Sequence, residues 1–106
     1  MTTPNYTELD YTSSVSEYIQ NNSLTKELFN TFSQDGQNHI IRIGASVLMT
    51  KTGYRQGGGF VQAVIANDLL GAFNRADSTM QRAMQIIVTI NAYCELRKFE
   101  PDFETI

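Results

Sequence analysis

The chain has 106 residues, the length of one domain, and leaves no room for a second. Hydrophobic residues make up 42% of it and charged residues 18%, which favours a folded core over a disordered chain. A net charge of -3 and a pI near 4.9 argue against binding DNA or RNA polymers, which requires a basic surface. A chain this short buries only about two-thirds of its unfolded surface, so we expect a homo-oligomer to add stability.

Cysteine and histidine usage narrows the function classes further. Cys94 is the single cysteine and His39 the single histidine, which excludes an intramolecular disulfide and a Cys/His zinc cage within one chain. The sequence lacks an apolar run of about 18 residues for a membrane span and lacks the features of a signal peptide. We therefore expect a cytoplasmic protein with no membrane partner, no metal and no cofactor.

Composition divides the chain into three parts. Residues 1–14 are polar and turn-rich, and predict a flexible N-terminal arm. Residues 15–98 carry the helical patterns of a single domain, beginning with a short helix from Val15 and a second one capped by Ser23. Residues 99–106 are predicted to be a frayed acidic tail.

Three further segments have helical spacing. Residues 38–50 fit a helix, although their β-branched residues also permit a strand. Residues 60–75 have a clear helical period, and a last long helix begins at Asp77 or Ser78. These two helices predict an antiparallel hairpin over residues 60–97, and the whole pattern predicts an all-α domain.

The charge distribution gives the first functional signal. No Asp or Glu occurs between Gly36 and Asn67, although the chain has 11 acidic residues. This window contains Arg42, Lys51 and Arg55. It is compatible with a chance distribution of charge, and equally with a local anion site on an otherwise acidic protein.

A triple glycine inside this window gives the second signal. Gly57, Gly58 and Gly59 precede a helix predicted from Phe60. Helix N-termini present unpaired N–H groups, and glycine lets a ligand approach the backbone, so a phosphate could bind there with help from Arg55 or Lys51. The alternative is a flexible loop that lets two helices turn.

Two polar residues within the predicted helix give the third signal. Asn67 and Asp68 are poor helix formers, and Asn67 shares a face with Phe60 and Val64. They could read polar groups of a ligand. The alternative is an Asn–Asp pair that fixes helix packing.

Catalytic patterns are missing. One histidine and no nucleophile motif give no credible Ser/His/Asp triad, and no carboxylate pair shares an apolar helix face. Cys94 lies on an apolar stripe and is expected to be a buried structural residue. We therefore expect a binding protein and not an enzyme.

The central run resembles a family of small phage proteins. Residues 58–69 read GGFVQAVIANDL, followed by Ala72 and by Arg75-Ala76-Asp77. The family pattern is G-G-F-[LV]-x-A-[VF]-[LI]-x-N-D-L, then A and R-A-D, and the resemblance covers residues 40–95. Many members have prolines before the glycines, whereas this chain has Tyr54-Arg55-Gln56 there.

Phages use small helical oligomers as sponges that sequester the cyclic nucleotide signals of bacterial immunity, as anti-CBASS and anti-Thoeris proteins do. With the basic window and the glycine loop, the resemblance suggests a sponge for a cyclic di- or trinucleotide in the infected cell's cytoplasm. Two base stacks and two charge-assisted phosphates would support such binding. The expected ligand-binding residues are Arg42, Lys51 and Arg55 with the backbone of Gly57, Gly58 and Gly59 for phosphates, Tyr54 or Phe60 for stacking, and Asn67 or Asp68 for polar groups.

The rival hypothesis is a protein–protein interaction module, for example a phage inhibitor of a host protein. Its acidic face would then carry the function, together with the N-terminal arm. That face comprises Glu95, Glu100, Asp102 and Glu104.

Overall fold

A computed structural model describes residues 5–99, which form seven α-helices and contain no strand. The helices are α1 (Glu8–Asn21), α2 (Ser23–Phe29), α3 (Gln34–Thr52), α4 (Gly59–Ile65), α5 (Leu69–Arg75), α6 (Ser78–Arg82) and α7 (Met84–Tyr93). The all-α prediction is confirmed, and the ambiguous residues 38–50 lie within α3. Among the described residues, no helix is both long and apolar enough to cross a membrane.

The longest helix, α3, is the centre of the domain. The Ser33 side chain caps it by accepting a hydrogen bond from the N–H of Gly36, and Gly53 ends it with a φ of 81° that favours glycine. Helices α1, α4 and α7 pack around it. The core between them consists mainly of aliphatic side chains, including Val15, Ile19, Ile40, Val47, Ile86, Ile87 and Ile90.

Three helices approach one another most closely at Gly44 in α3. A Cβ atom there would lie 2.9 Å from Ile90 Cδ1 and 2.9 Å from Val15 Cγ1. Both distances are shorter than a normal van der Waals contact between carbon atoms. Gly44 therefore sets how tightly α1 and α7 pack against α3.

Helix α1 begins earlier than predicted. The N–H of Thr7 donates to Asp10 Oδ2 at 2.9 Å while the N–H of Asp10 donates to Thr7 Oγ1 at 3.4 Å, which forms a capping box. Asp10 and Tyr11 are buried. The flexible arm predicted over residues 1–14 is therefore wrong for residues 8–14, which form the first two turns of α1; residues 1–4 lie outside the described residues.

After α7 the chain returns along α1 in an extended conformation. The N–H of Arg97 donates to Ser14 Oγ at 2.9 Å, and the N–H of Phe99 donates to Asp10 Oδ1 at 2.7 Å. The buried side chains of α1 thus satisfy backbone groups more than 80 residues away in sequence. The predicted acidic tail lies outside the described residues except for Phe99.

The predicted C-terminal hairpin is replaced by four short helices, α4 to α7. The helix expected over residues 60–75 breaks because Asn67 adopts a left-handed φ of 61° and the Asp68 carboxylate caps α5 through the N–H of Gly71. The carboxylate of Asp77 caps α6, and a second break at Ala83 separates α6 from α7.

Candidate functional site

Helices α1 and α3 enclose a groove of about 190 Å³, called here the α1–α3 groove. Its α3 side is built from Arg42, Ala45, Ser46 and Met49, which recur at helical spacing and so share one face of that helix. Arg42 and Met49 lie two helical turns, about 10 Å, apart. Ala45 and Met49 are buried and provide an apolar floor, while Arg42 is exposed at one end.

The α1 side of the groove contributes Glu8 and Thr12, one helical turn apart. Arg55, from the loop after α3, lies at the Met49 end of the groove, where its Nη2 is 3.3 Å from Met49 Sδ. The groove therefore has an arginine at each end, an apolar floor, and Thr12 and Ser46 along its walls.

Arg55 is paired with an acidic residue in this structure. Its Nη2 lies 2.9 Å from Glu8 Oε1, and both side chains are more than half exposed, at 61% and 58%. Exposed ion pairs of this kind contribute at most about 1 kcal/mol, so a bound anion can compete with Glu8 for the guanidinium.

Arg42 belongs to a chain of polar contacts that ends at the start of α6. Its Nη2 is 3.5 Å from His39 Nδ1, and His39 Nε2 is 2.8 Å from Asp77 Oδ2. Arginine can only donate, so a hydrogen bond from Arg42 requires Nδ1 of His39 as its acceptor. The backbone N–H of Met80, with a smaller contribution from His39 and against the opposing effect of burial, holds the pKa of Asp77 below its ordinary value.

Lys51, the third predicted basic residue, lies elsewhere. Its Nζ donates to the backbone carbonyl of Asn91, which places it at the contact between α3 and α7. Tyr54 packs its ring against Tyr11 with centroids 5.0 Å apart and remains 47% exposed. Of the residues proposed to bind phosphate through side chains, the groove therefore unites Arg42 and Arg55 and leaves Lys51 out.

The glycine loop has a packing role in this structure. The N–H of Gly57 donates to Thr50 Oγ1 at 2.8 Å, and a Cβ at Gly57 would lie 2.7 Å from Ser46 Oγ. Gly58 is the N-cap of α4, which has only seven residues and thus a weak dipole. The close approach of the loop to α3, through Ser46 and Thr50, accounts for glycine at position 57.

Gly59 and Asp68 line a second groove, of about 320 Å³, between α4 and α5. Ala63 and Ala66 form its small-residue floor, and Arg75 lies beside it. Phe60 is half-buried against the core, whereas Asn67 is exposed in the loop before α5. The ten predicted residues are therefore distributed over several surfaces and do not form one continuous site.

Sequence reasoning missed Glu8, Thr12 and Ser46 in the α1–α3 groove and Arg75 beside the second groove. The T-x-x-D pattern of Thr7 and Asp10 is a capping signal, and it could have extended α1 to include Glu8 and Thr12. Cys94 is buried as expected, and burial raises the pKa of its thiol to about 11. Residues 5–99 contain no cluster of three or more side chains suited to hold a metal ion.

Comparison with known proteins does not identify a family for this chain. No family model matches the chain, and neither curated proteins nor solved structures give a significant match.

Proposed function

We propose that the protein binds and sequesters a small phosphate-bearing nucleotide, a cyclic di- or trinucleotide, in the α1–α3 groove without cleaving it. The observation that carries the proposal is the presence of Arg42 and Arg55 at opposite ends of one groove whose floor, Ala45 and Met49, is apolar. Guanidinium groups bind phosphate oxygens in bidentate fashion, and an apolar floor accepts the face of a base.

The volume of the groove limits how much of the ligand it takes. About 190 Å³ is below the range of about 300–1,000 Å³ that is typical of sites for drug-sized molecules. The groove therefore takes only part of a cyclic ligand, and the rest of the ligand lies outside it. Sequestration requires affinity alone, so this partial enclosure is compatible with a sponge.

Calorimetric titration with a panel of cyclic di- and trinucleotides tests the proposal. Arg42→Ala and Arg55→Ala should each weaken binding by about 10- to 100-fold, since each removes a charge-assisted hydrogen bond. Lys26→Ala is the matched control, because Lys26 is exposed on α2 and its removal changes the net charge equally without touching the groove. Absence of heat with every nucleotide would overturn the proposal, as would equal losses in all three variants.

Neutralising Glu8, which competes with the ligand for Arg55, tests the proposal through an expected gain in affinity. Glu8→Gln frees Arg55 from its ion pair and removes a negative charge from the groove, so anion binding should tighten by about three- to tenfold. The same titration measures it. Unchanged or weaker affinity in Glu8→Gln would place the ligand away from Arg55.

A second candidate is the protein–protein interaction module, with a host protein as partner. The observation that favours it is Tyr93, which is 73% exposed at the end of α7 and close in sequence to the exposed acidic residue Glu95. Exposed tyrosines are enriched at protein interfaces. Under this hypothesis Tyr93→Ala reduces binding to the host protein while Arg55→Ala leaves it unchanged, and the reverse pattern would exclude this surface.

A further inference from the structure

Helix α5 carries an exposed apolar surface that the proposed nucleotide site does not use. Leu69, Leu70 and Phe73 are 62%, 72% and 49% exposed, and we call these three residues the α5 ridge. They lie on the face of α5 that is turned away from Gly71 and Ala72, the two buried residues of this helix. The ridge therefore contributes little to the core of the monomer.

The position of α5 makes this exposure unusual. The helix has seven residues and packs mainly against α4, itself a short helix. Helices of this length are not stable alone in water and depend on the surface that they bury. A second surface that covers the ridge would therefore stabilise α5 through apolar contacts that the monomer lacks.

The area of the ridge matches the requirement of a dimer contact. The three side chains together expose on the order of 300–400 Å² of apolar surface. A standard interface buries about 800 Å² per partner, of which a little over half is nonpolar. The ridge thus provides most of the apolar share of such an interface.

The local charge permits a second copy of this chain as the occupant. Residues 56–76 contain one acidic and one basic residue, Asp68 and Arg75. Both side chains cover Gly71, because a Cβ there would lie 2.1 Å from Asp68 Oδ2 and 2.9 Å from Arg75 Nη1. Their charges offset each other next to the ridge, so two copies of net charge -3 can meet at this surface without local repulsion.

We propose that the α5 ridge is a homodimer surface, on which a second copy docks antiparallel about a two-fold axis. Leu69 and Phe73 are one helical turn apart, so an antiparallel arrangement places Leu69 of each copy opposite Phe73 of the other. Leu70, the most exposed of the three, is buried between the copies.

Light scattering coupled to size-exclusion chromatography tests this surface with the full chain. At about 100 µM the protein should have twice the chain mass of 11.9 kDa. Leu70→Glu places two uncompensated charges in the interface, and should raise the dimer dissociation constant by at least about 100-fold. Leu24→Glu is the matched control, because Leu24 is 65% exposed on α2 and should leave the dimer intact.

Circular dichroism of each variant shows whether the helices persist. If Leu70→Glu unfolds, Leu70→Lys replaces it, with the same dissociation expected. A monomeric native protein at this concentration would overturn the proposal. An intact dimer in both Leu70 variants, or dissociation of Leu24→Glu to the same extent, would also overturn it. The result is independent of nucleotide binding, which the titrations measure separately.

Discussion

Two regions of the molecule differ in what they bury and expose. The α1 end is the first turn of α1 with residues 97–99, where a charged group is buried; the α4–α5 edge is the surface of α4 and α5, where apolar groups are exposed. At the α1 end, the fully buried carboxylate of Asp10 accepts hydrogen bonds from the N–H groups of Thr7 and Phe99 and lies 3.3 Å from Lys98 Nζ. At the α4–α5 edge, large apolar side chains such as Leu70 remain in solvent. In the first region the buried carboxylate is paired within the same chain, whereas the second region leaves apolar side chains exposed.

The difference predicts which substitutions should alter folding and which should alter self-association. A buried charge persists only with full hydrogen bonding, so removal of the Asp10 carboxylate should destabilise the native fold. An exposed apolar ridge contributes little to folding, so substitutions there should alter association and leave the monomer folded.

The largest expected effect is at Asp10. Asp10→Ala leaves the N–H groups of Thr7 and Phe99 without their acceptor and should lower the free energy of unfolding by about 3 kcal/mol. Urea denaturation measures the loss, with Glu27→Ala on the exposed surface of α2 as the control. A decrease in the free energy of unfolding below about 1 kcal/mol would contradict the view that the hydrogen bonds of Asp10 stabilise the α1 end.

Acid should have a slightly smaller effect on the same group. Burial alone would raise the pKa of Asp10, but the hydrogen bonds from Thr7 and Phe99 and the charge of Lys98 outweigh it and lower the pKa from 3.8 to about 2. A lowered pKa in the folded state means that the stability is present above about pH 4 and is lost as the pH falls towards 2. The difference corresponds to a free energy of unfolding on the order of 2 kcal/mol.

Urea denaturation at a series of pH values measures this loss. Asp10→Asn is the comparison variant, because it removes the titrating group and keeps the size of the side chain. It should show a smaller loss between pH 4 and 2 than the native protein, with the remainder arising from Asp77, whose pKa is also lowered. Identical profiles for both proteins would contradict the assignment to Asp10.

The smallest expected effect lies at the opposite edge. Asn67 has a φ of 61°, a conformation that asparagine tolerates better than alanine, so Asn67→Ala should cost about 1 kcal/mol. Asn67→Gly relieves the backbone and should change stability by less than about 0.5 kcal/mol. Asn74→Ala is the control, because it removes an exposed asparagine side chain from α5 at a position with helical backbone. Thermal unfolding ranks the three variants, and equal stability of Asn67→Ala and Asn67→Gly would contradict the strain argument.

The parts of the fold that follow from local pattern could be predicted from the sequence. The period of apolar residues allowed a helix over residues 38–50, within α3, although it also permitted a strand, and it indicated helix for the residues of α7. The start of α1 could not be recognised from polarity, since the partners that make Asp10 a core residue, Lys98 and Phe99, are nearly 90 residues away.

The candidate site was only partly predictable for the same reason. Arg42 and Arg55 stood out because their window lacks acids, but their shared groove depends on α1, whose first turns had been assigned to a flexible arm. Asn67 and Asp68 were recognised as unusual within a helix. The pattern alone could not show that they end one helix and begin the next, because that depends on the left-handed backbone at Asn67.

The hydrogen bond from Phe99 to Asp10 also brings the first and last described segments together, as does the contact of Lys98 with the carbonyl of Asn5. The first and last described residues of the domain are therefore close together in space. A short linker between these two segments would preserve every helix, and the exposed turn at Gly53 and Tyr54 offers a place for new chain ends. We therefore expect the helices to pack in the same way when they are synthesised in a permuted order.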